Sequence, residues 1–183
     1  MKKLSYNEQL SLVKDLVKGE KEAKENLLSY IQEYLLDDNV ESKLVDVFVK
    51  EPTNVAVKKV LLAYFNVCRL CSEAEIKLVD AFVANSTDVD VKEALLAYFK
   101  VCRLCNVTEI KLVDAFLSNS TNVAVKKILL AYLEVYGLNN EAEIKLVDAF
   151  VANPTDVVKE VMLVYIKKYT LRDGAAVKLL NAI

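Results

Sequence analysis

Apolar residues in this chain return at helical spacing, break, and return again. Ile76, Val79, Phe82 and Val83 form one stripe, with the three-to-four-residue steps of a helix face. After a polar break, Val91, Leu95, Tyr98, Cys102 and Cys105 form a second stripe, widened by Leu96 and Phe99. Only a narrow polar strip through Glu93, Lys100 and Arg103 remains beside it. The pattern predicts a first helix, A, over residues 75–84 and a second, B, over residues 88–105. A helix apolar over most of its girth is expected to lie between neighbours.

This pair recurs. Lys-Leu-Val-Asp stands at 43–46, 77–80, 111–114 and 145–148, always at the same interval, with Phe48, Phe82, Phe116 and Phe150 following in register. Leu-Leu-Ala-Tyr stands at 61–64, 95–98 and 129–132, and Met-Leu-Val-Tyr at 162–165, after one residue has been lost between Thr155 and Lys159. The ends are degenerate copies. Leu27-Leu28-Ser29-Tyr30 lies one period before Leu61, and Val177-Lys178-Leu179-Leu180 matches the start of a helix A. One helix pair cannot bury both of its faces, and stacking similar pairs solves this. The expectation is an all-α fold: a right-handed α-solenoid of stacked antiparallel helix pairs with a 34-residue repeat. Residues 1–40 would be a degenerate capping repeat, 41–172 four helix pairs, and 173–183 a half repeat of one helix. Thr53, Thr87, Thr121 and Thr155 are placed to cap helix B. Lys14, Lys18, Glu20, Lys21, Glu22, Lys24 and Glu25 give the first repeat a charged face, whereas Val177, Leu180 and Ile183 would leave an apolar edge.

Composition agrees with this and excludes several functions. Three glycines and two prolines among 183 residues are too few for the turns of an all-β chain. A net charge of −2 gives no general attraction to nucleic acid or to an anionic membrane. Asn7 and Glu8 interrupt any secretory h-region, and the longest uncharged apolar run, Val60 to Cys68, is half the length of a membrane span. These features predict a soluble cytoplasmic protein with reduced thiols.

The turn between the helices carries a family resemblance. Asn153-Pro154-Thr155-Asp156-Val157-Val158-Lys159, and its sibling Asn85-Ser86-Thr87-Asp88-Val89-Asp90-Val91-Lys92 without the proline, resemble the turn of HEAT repeats. The resemblance implies a stabilising ladder along the stack, formed by Lys58, Lys92, Lys126 and Lys159 with Asn54, Asp88, Asn122 and Asp156. The repeat is shorter than is usual for HEAT units.

Candidate chemistry is sparse. Cys68-Arg-Leu-Cys71 and Cys102-Arg-Leu-Cys105 are two CxxC pairs of the kind that builds zinc sites. The spacing between them is simply the repeat length, and Tyr136 and Tyr169 occupy the Cys68 column, so packing explains the cysteines better than ligation. Without histidine the commonest general base is absent. Asp46, Asp80, Asp114 and Asp148 form a row, where an enzyme needs a singular site; they are expected to pair with Lys43, Lys77, Lys111 and Lys145. Tyr30, Tyr64, Tyr98, Tyr132 and Tyr165 form a column expected in the core or at its edge. No enzyme activity, cofactor or metal is expected.

What varies is the polar strip of helix B: Lys59, Glu93, Lys127 and Glu160; Asn66, Lys100, Glu134 and Lys167; and the column that begins with Arg69 and Arg103. A constant scaffold with a varied strip suits a concave surface that binds a protein or peptide; drift of exposed positions would give the same variation. Nucleic acid is the second reading, weakened by Glu93, Glu134 and Glu160. A metal-responsive protein and an array without a ligand, natural or designed, are the others. Self-association through the uncapped C-terminal helix, or continuation of the stack into missing sequence, is also expected.

Overall fold

A computed structural model describes residues 2–181, and among these residues it is all-α. Eleven helices follow in order: α1 (Tyr6–Val17), α2 (Lys21–Glu33), α3 (Asp38–Lys50), α4 (Val55–Phe65), α5 (Ser72–Ala84), α6 (Val89–Phe99), α7 (Asn106–Ser118), α8 (Val123–Leu133), α9 (Asn140–Ala152), α10 (Asp156–Lys168) and α11 (Asp173–Leu180). They form two compact units. Among the described residues the first comprises 2–82 and 88–102, the second 83–87 and 103–181. In the first, α1 packs on α2 and α3, α2 on α4, α3 on α4, and α4 on α6. In the second, α7 packs on α8 and α9, α8 on α10, and α9 on α10 and α11. Within a unit, helices thus contact the partner in their own pair and the counterpart in the next pair. Ile183 lies outside the described residues.

The buried faces differ in detail from the sequence expectation. In α5 the buried residues are Ala74, Glu75, Leu78, Val79 and Phe82, while Val83 is 40% exposed. The stripe is rotated from the expected one because Ala74, Glu75 and Leu78 turn inward and Ile76 lies at its margin. Helix B is also shorter than expected. It ends at Phe65, Phe99 and Leu133, and both CxxC pairs lie in the loop leading to the next helix. The two cysteines of a pair therefore do not share a helix face.

Capping differs as well. Asn54, Asp88 and Asn122 cap α4, α6 and α8, accepting from Val57, Val91 and Val125 N–H at 3.2, 3.0 and 3.2 Å. Among these B helices, only α10 is capped by its threonine, Thr155, at 3.3 Å from Val158 N. The single-residue deletion moves the helix start back onto that threonine. In the other three repeats the Asx lies next to the first turn, and its short carboxyl or amide reaches the third N–H without strain.

The lysine–aspartate row links successive repeats. Lys77 lies 3.0 Å from Asp46, Lys145 2.8 Å from Asp114 and Lys178 2.6 Å from Asp148. A second row along the B helices pairs Lys58 with Asp90 and Glu93, both at 2.6 Å, and Lys126 with Glu160 at 2.5 Å. All of these pairs are at least partly open to water, so solvent screening leaves each with little net effect on stability.

Candidate binding surface

The most constant polar feature is buried. Glu41, Glu75, Glu109 and Glu143 recur once per repeat in the first turn of each helix A, and all are at most 2% exposed. Each accepts a hydrogen bond from the hydroxyl of a column tyrosine: Tyr64 on Glu41 at 2.9 Å, Tyr98 on Glu75 at 2.8 Å, Tyr132 on Glu109, and Tyr165 on Glu143 at 2.6 Å. Burial pushes all four phenols far above their usual pKa, so each hydroxyl stays protonated and donates. Three of the carboxylates also fasten the following loop. Cys71 N–H donates to Glu41, Asn139 N–H to Glu109 at 2.5 Å, and Arg172 N–H to Glu143 at 2.6 Å. In the N-terminal pair a neutral Gln9 meets the same two partners with one direction reversed, donating to the Tyr30 hydroxyl at 3.2 Å and accepting from Asp37 N–H at 2.9 Å.

Arginines neutralise three of these carboxylates. Arg69 lies 3.6 Å from Glu75 and Arg103 2.8 Å from Glu109. Glu143 has glycine at the corresponding place, Gly137, because the Tyr169 ring fills the space: a Cβ there would meet it at 3.1 Å. Arg172 approaches from the following loop instead, at 2.9 Å. The corresponding place for Glu41 holds Leu35, which is 54% exposed. Desolvation without a cation raises the pKa of Glu41, and the nearby Asp38 adds to the rise.

The column tyrosines are all in the core, at no more than 1% exposure. Tyr34, Tyr136 and Tyr169 pack against Tyr30, Tyr132 and Tyr165 with ring centroids 5.3–5.4 Å apart. Cys68 and Cys102 occupy the corresponding slots beside Tyr64 and Tyr98. All four cysteines are half-buried thiols outside any disulfide, and burial raises the Cys71 thiol to about 11. Among the described residues no group of three or more Cys, Asp or Glu side chains is arranged to hold a metal ion.

All ten residues of the predicted strip are exposed. Lys59, Glu93, Lys127 and Glu160 project from the middle of α4, α6, α8 and α10, but Glu93 and Glu160 are already held by Lys58 and Lys126. Asn66, Lys100 and Glu134 are the C-cap residues of α4, α6 and α8, and Lys167 lies in the last turn of α10. Arg69 and Arg103 lie in loops and turn back onto buried carboxylates. In each unit the strip residues therefore divide into positions on the helices and positions at or beyond their ends, with the two arginines tied to the interior.

The Glu column was missed in the sequence, although a signal was there. Glu75, Leu78, Val79 and Phe82 stand at i, i+3, i+4 and i+7, so an invariant charge occupies the apolar stripe. No helix among the described residues is long and apolar enough to cross a membrane. No protein-family model, no curated protein and no solved structure gives a significant match to the chain, so the HEAT-like reading rests on the turn residues alone.

Proposed function

We propose that this chain is a non-enzymatic protein- or peptide-binding scaffold, a right-handed α-solenoid of 34-residue repeats that presents the second helix of each repeat. One observation carries the reading: the buried Glu–Tyr frame is the same in four repeats, whereas the exposed positions on and after helix B change sign from repeat to repeat. Mixed charge favours a partner of mixed charge over a polyanion. Affinity capture from lysate, with and without nuclease, tests this against a Lys59→Ala/Lys100→Ala variant. A protein retained after nuclease and weakened at least fivefold by the variant is expected. Capture that vanishes with nuclease would replace the reading with a nucleic-acid one, and no capture would favour an array without a ligand.

A second contact of the same kind is self-association through α10 and α11. Leu163, Ile166, Val177 and Leu180 are 50%, 40%, 54% and 72% exposed, whereas Leu133, the counterpart of Ile166, is fully buried. Sedimentation should show mass rising with concentration, and a monomer throughout would end this proposal.

A further inference from the structure

Three neighbouring helices of the first unit carry a leucine in the same register. Leu28 on α2, Leu62 on α4 and Leu96 on α6 are spaced one repeat apart, and each is half-buried although it faces away from the column tyrosine of its own helix. The packing of α2 on α4 and α4 on α6 makes them a row. Polar rows flank it: Glu25, Lys59 and Glu93 one turn before, and Gln32, Asn66 and Lys100 one turn after.

The spacing of such a row selects the conformation of what lies across it. Packed helices stand about 8–10 Å apart. A polyproline II segment makes one turn in three residues and advances about 9.3 Å as it does so, presenting every third side chain on the same side. Three residues of a β-strand cover a similar length but point the first and fourth side chains to opposite faces. A helical partner returns a side chain to the same face only at i+7, about 10.5 Å along its axis, which overshoots the roughly 8–10 Å spacing at each step, so the mismatch grows along the row.

Charge narrows the choice further. Glu93 is held by Lys58 at 2.6 Å, whereas Lys59 and Lys100 are exposed and make no ion pair among the described residues. The two free cations flank the leucines of α4 and α6, and Glu25 stands beside that of α2. We propose that the α2–α4–α6 face binds a polyproline II segment with an apolar residue at every third position and acidic residues where it crosses α4 and α6. This rests on the scaffold reading and names the partner's chemistry.

The probe is a labelled nonapeptide, Leu-Pro-Glu-Leu-Glu-Glu-Leu-Glu-Pro, which carries glutamates on both flanks of its leucine face; it is compared by fluorescence anisotropy with an isomer carrying its leucines at alternate positions and with a version whose prolines are glycines. The period-three peptide should bind at least tenfold more tightly than the isomer, and the glycine version should be weaker because its free chain is less ordered. Lys59→Glu/Lys100→Glu, with helicity checked by circular dichroism, should weaken binding by about tenfold, and Leu62→Glu by more. Equal binding of peptide and isomer, indifference to Lys59→Glu/Lys100→Glu, or no binding at all would overturn the proposal. If capture in the experiment above still yields a partner sensitive to the Lys59 and Lys100 substitutions, the scaffold reading survives that failure.

Discussion

Glu41 and Glu109 each accept from a column tyrosine and from a loop N–H, but only Glu109 faces an arginine, and that difference sets opposite expectations. A buried carboxylate without a counter-ion is costly, and removing one member of a neutralised pair is also costly. Glu41→Gln should therefore be neutral or stabilising at pH 7. Gln9 already shows that an amide can accept the loop N–H and meet the tyrosine hydroxyl. The sign with pH follows from the raised pKa of folded Glu41. Its contribution is most favourable below the unfolded carboxyl pKa and is lost as pH rises through the folded value. The advantage of Glu41→Gln over wild type should thus grow on going from acid to neutral pH, as measured by urea denaturation. Glu109→Gln should instead cost about 1–3 kcal/mol, because Arg103 and the loop N–H of Asn139 lose a charged acceptor.

Among the elements, the helix starts carry the clearest test. Asp88→Ala should cost about 1 kcal/mol by uncapping α6, whereas Thr87→Ala should change stability by less than about 0.5 kcal/mol. Equal effects would place the cap on the wrong residue. The helix A stripe is tested at Phe82, which is fully buried in α5. Phe82→Ala should cost about 3–5 kcal/mol, and a loss under about 1 kcal/mol would contradict that burial. The loops after helix B bear more than connection. Three of them offer a backbone N–H to the carboxylate of the preceding helix A, from Cys71, Asn139 and Arg172, so the loop is fastened by its main chain whatever side chain it carries.

For the whole molecule, balanced charge is the relevant property. If the partner is a peptide or protein, affinity should change less than tenfold between 50 and 200 mM salt. A nucleic-acid contact with six to ten phosphates would lose about a thousandfold or more over that range. Isothermal titration at the two salt concentrations separates these outcomes.

The all-α class and the succession of helices were legible in the sequence, because a helical stripe is a property of local order along the chain. So was the exposure of the strip, since polar positions opposite an apolar stripe face water. The tertiary structure decided the rest. Whether Glu75 is a surface charge or a buried acceptor depends on Tyr98, 23 residues away, and on Arg69 in the preceding loop. Whether Cys102 and Cys105 share a helix face depends on where α6 ends, and periodicity runs through that point without marking it. A local pattern tells which way a side chain points, whereas a buried polar group is defined by partners that only packing brings within hydrogen-bonding distance.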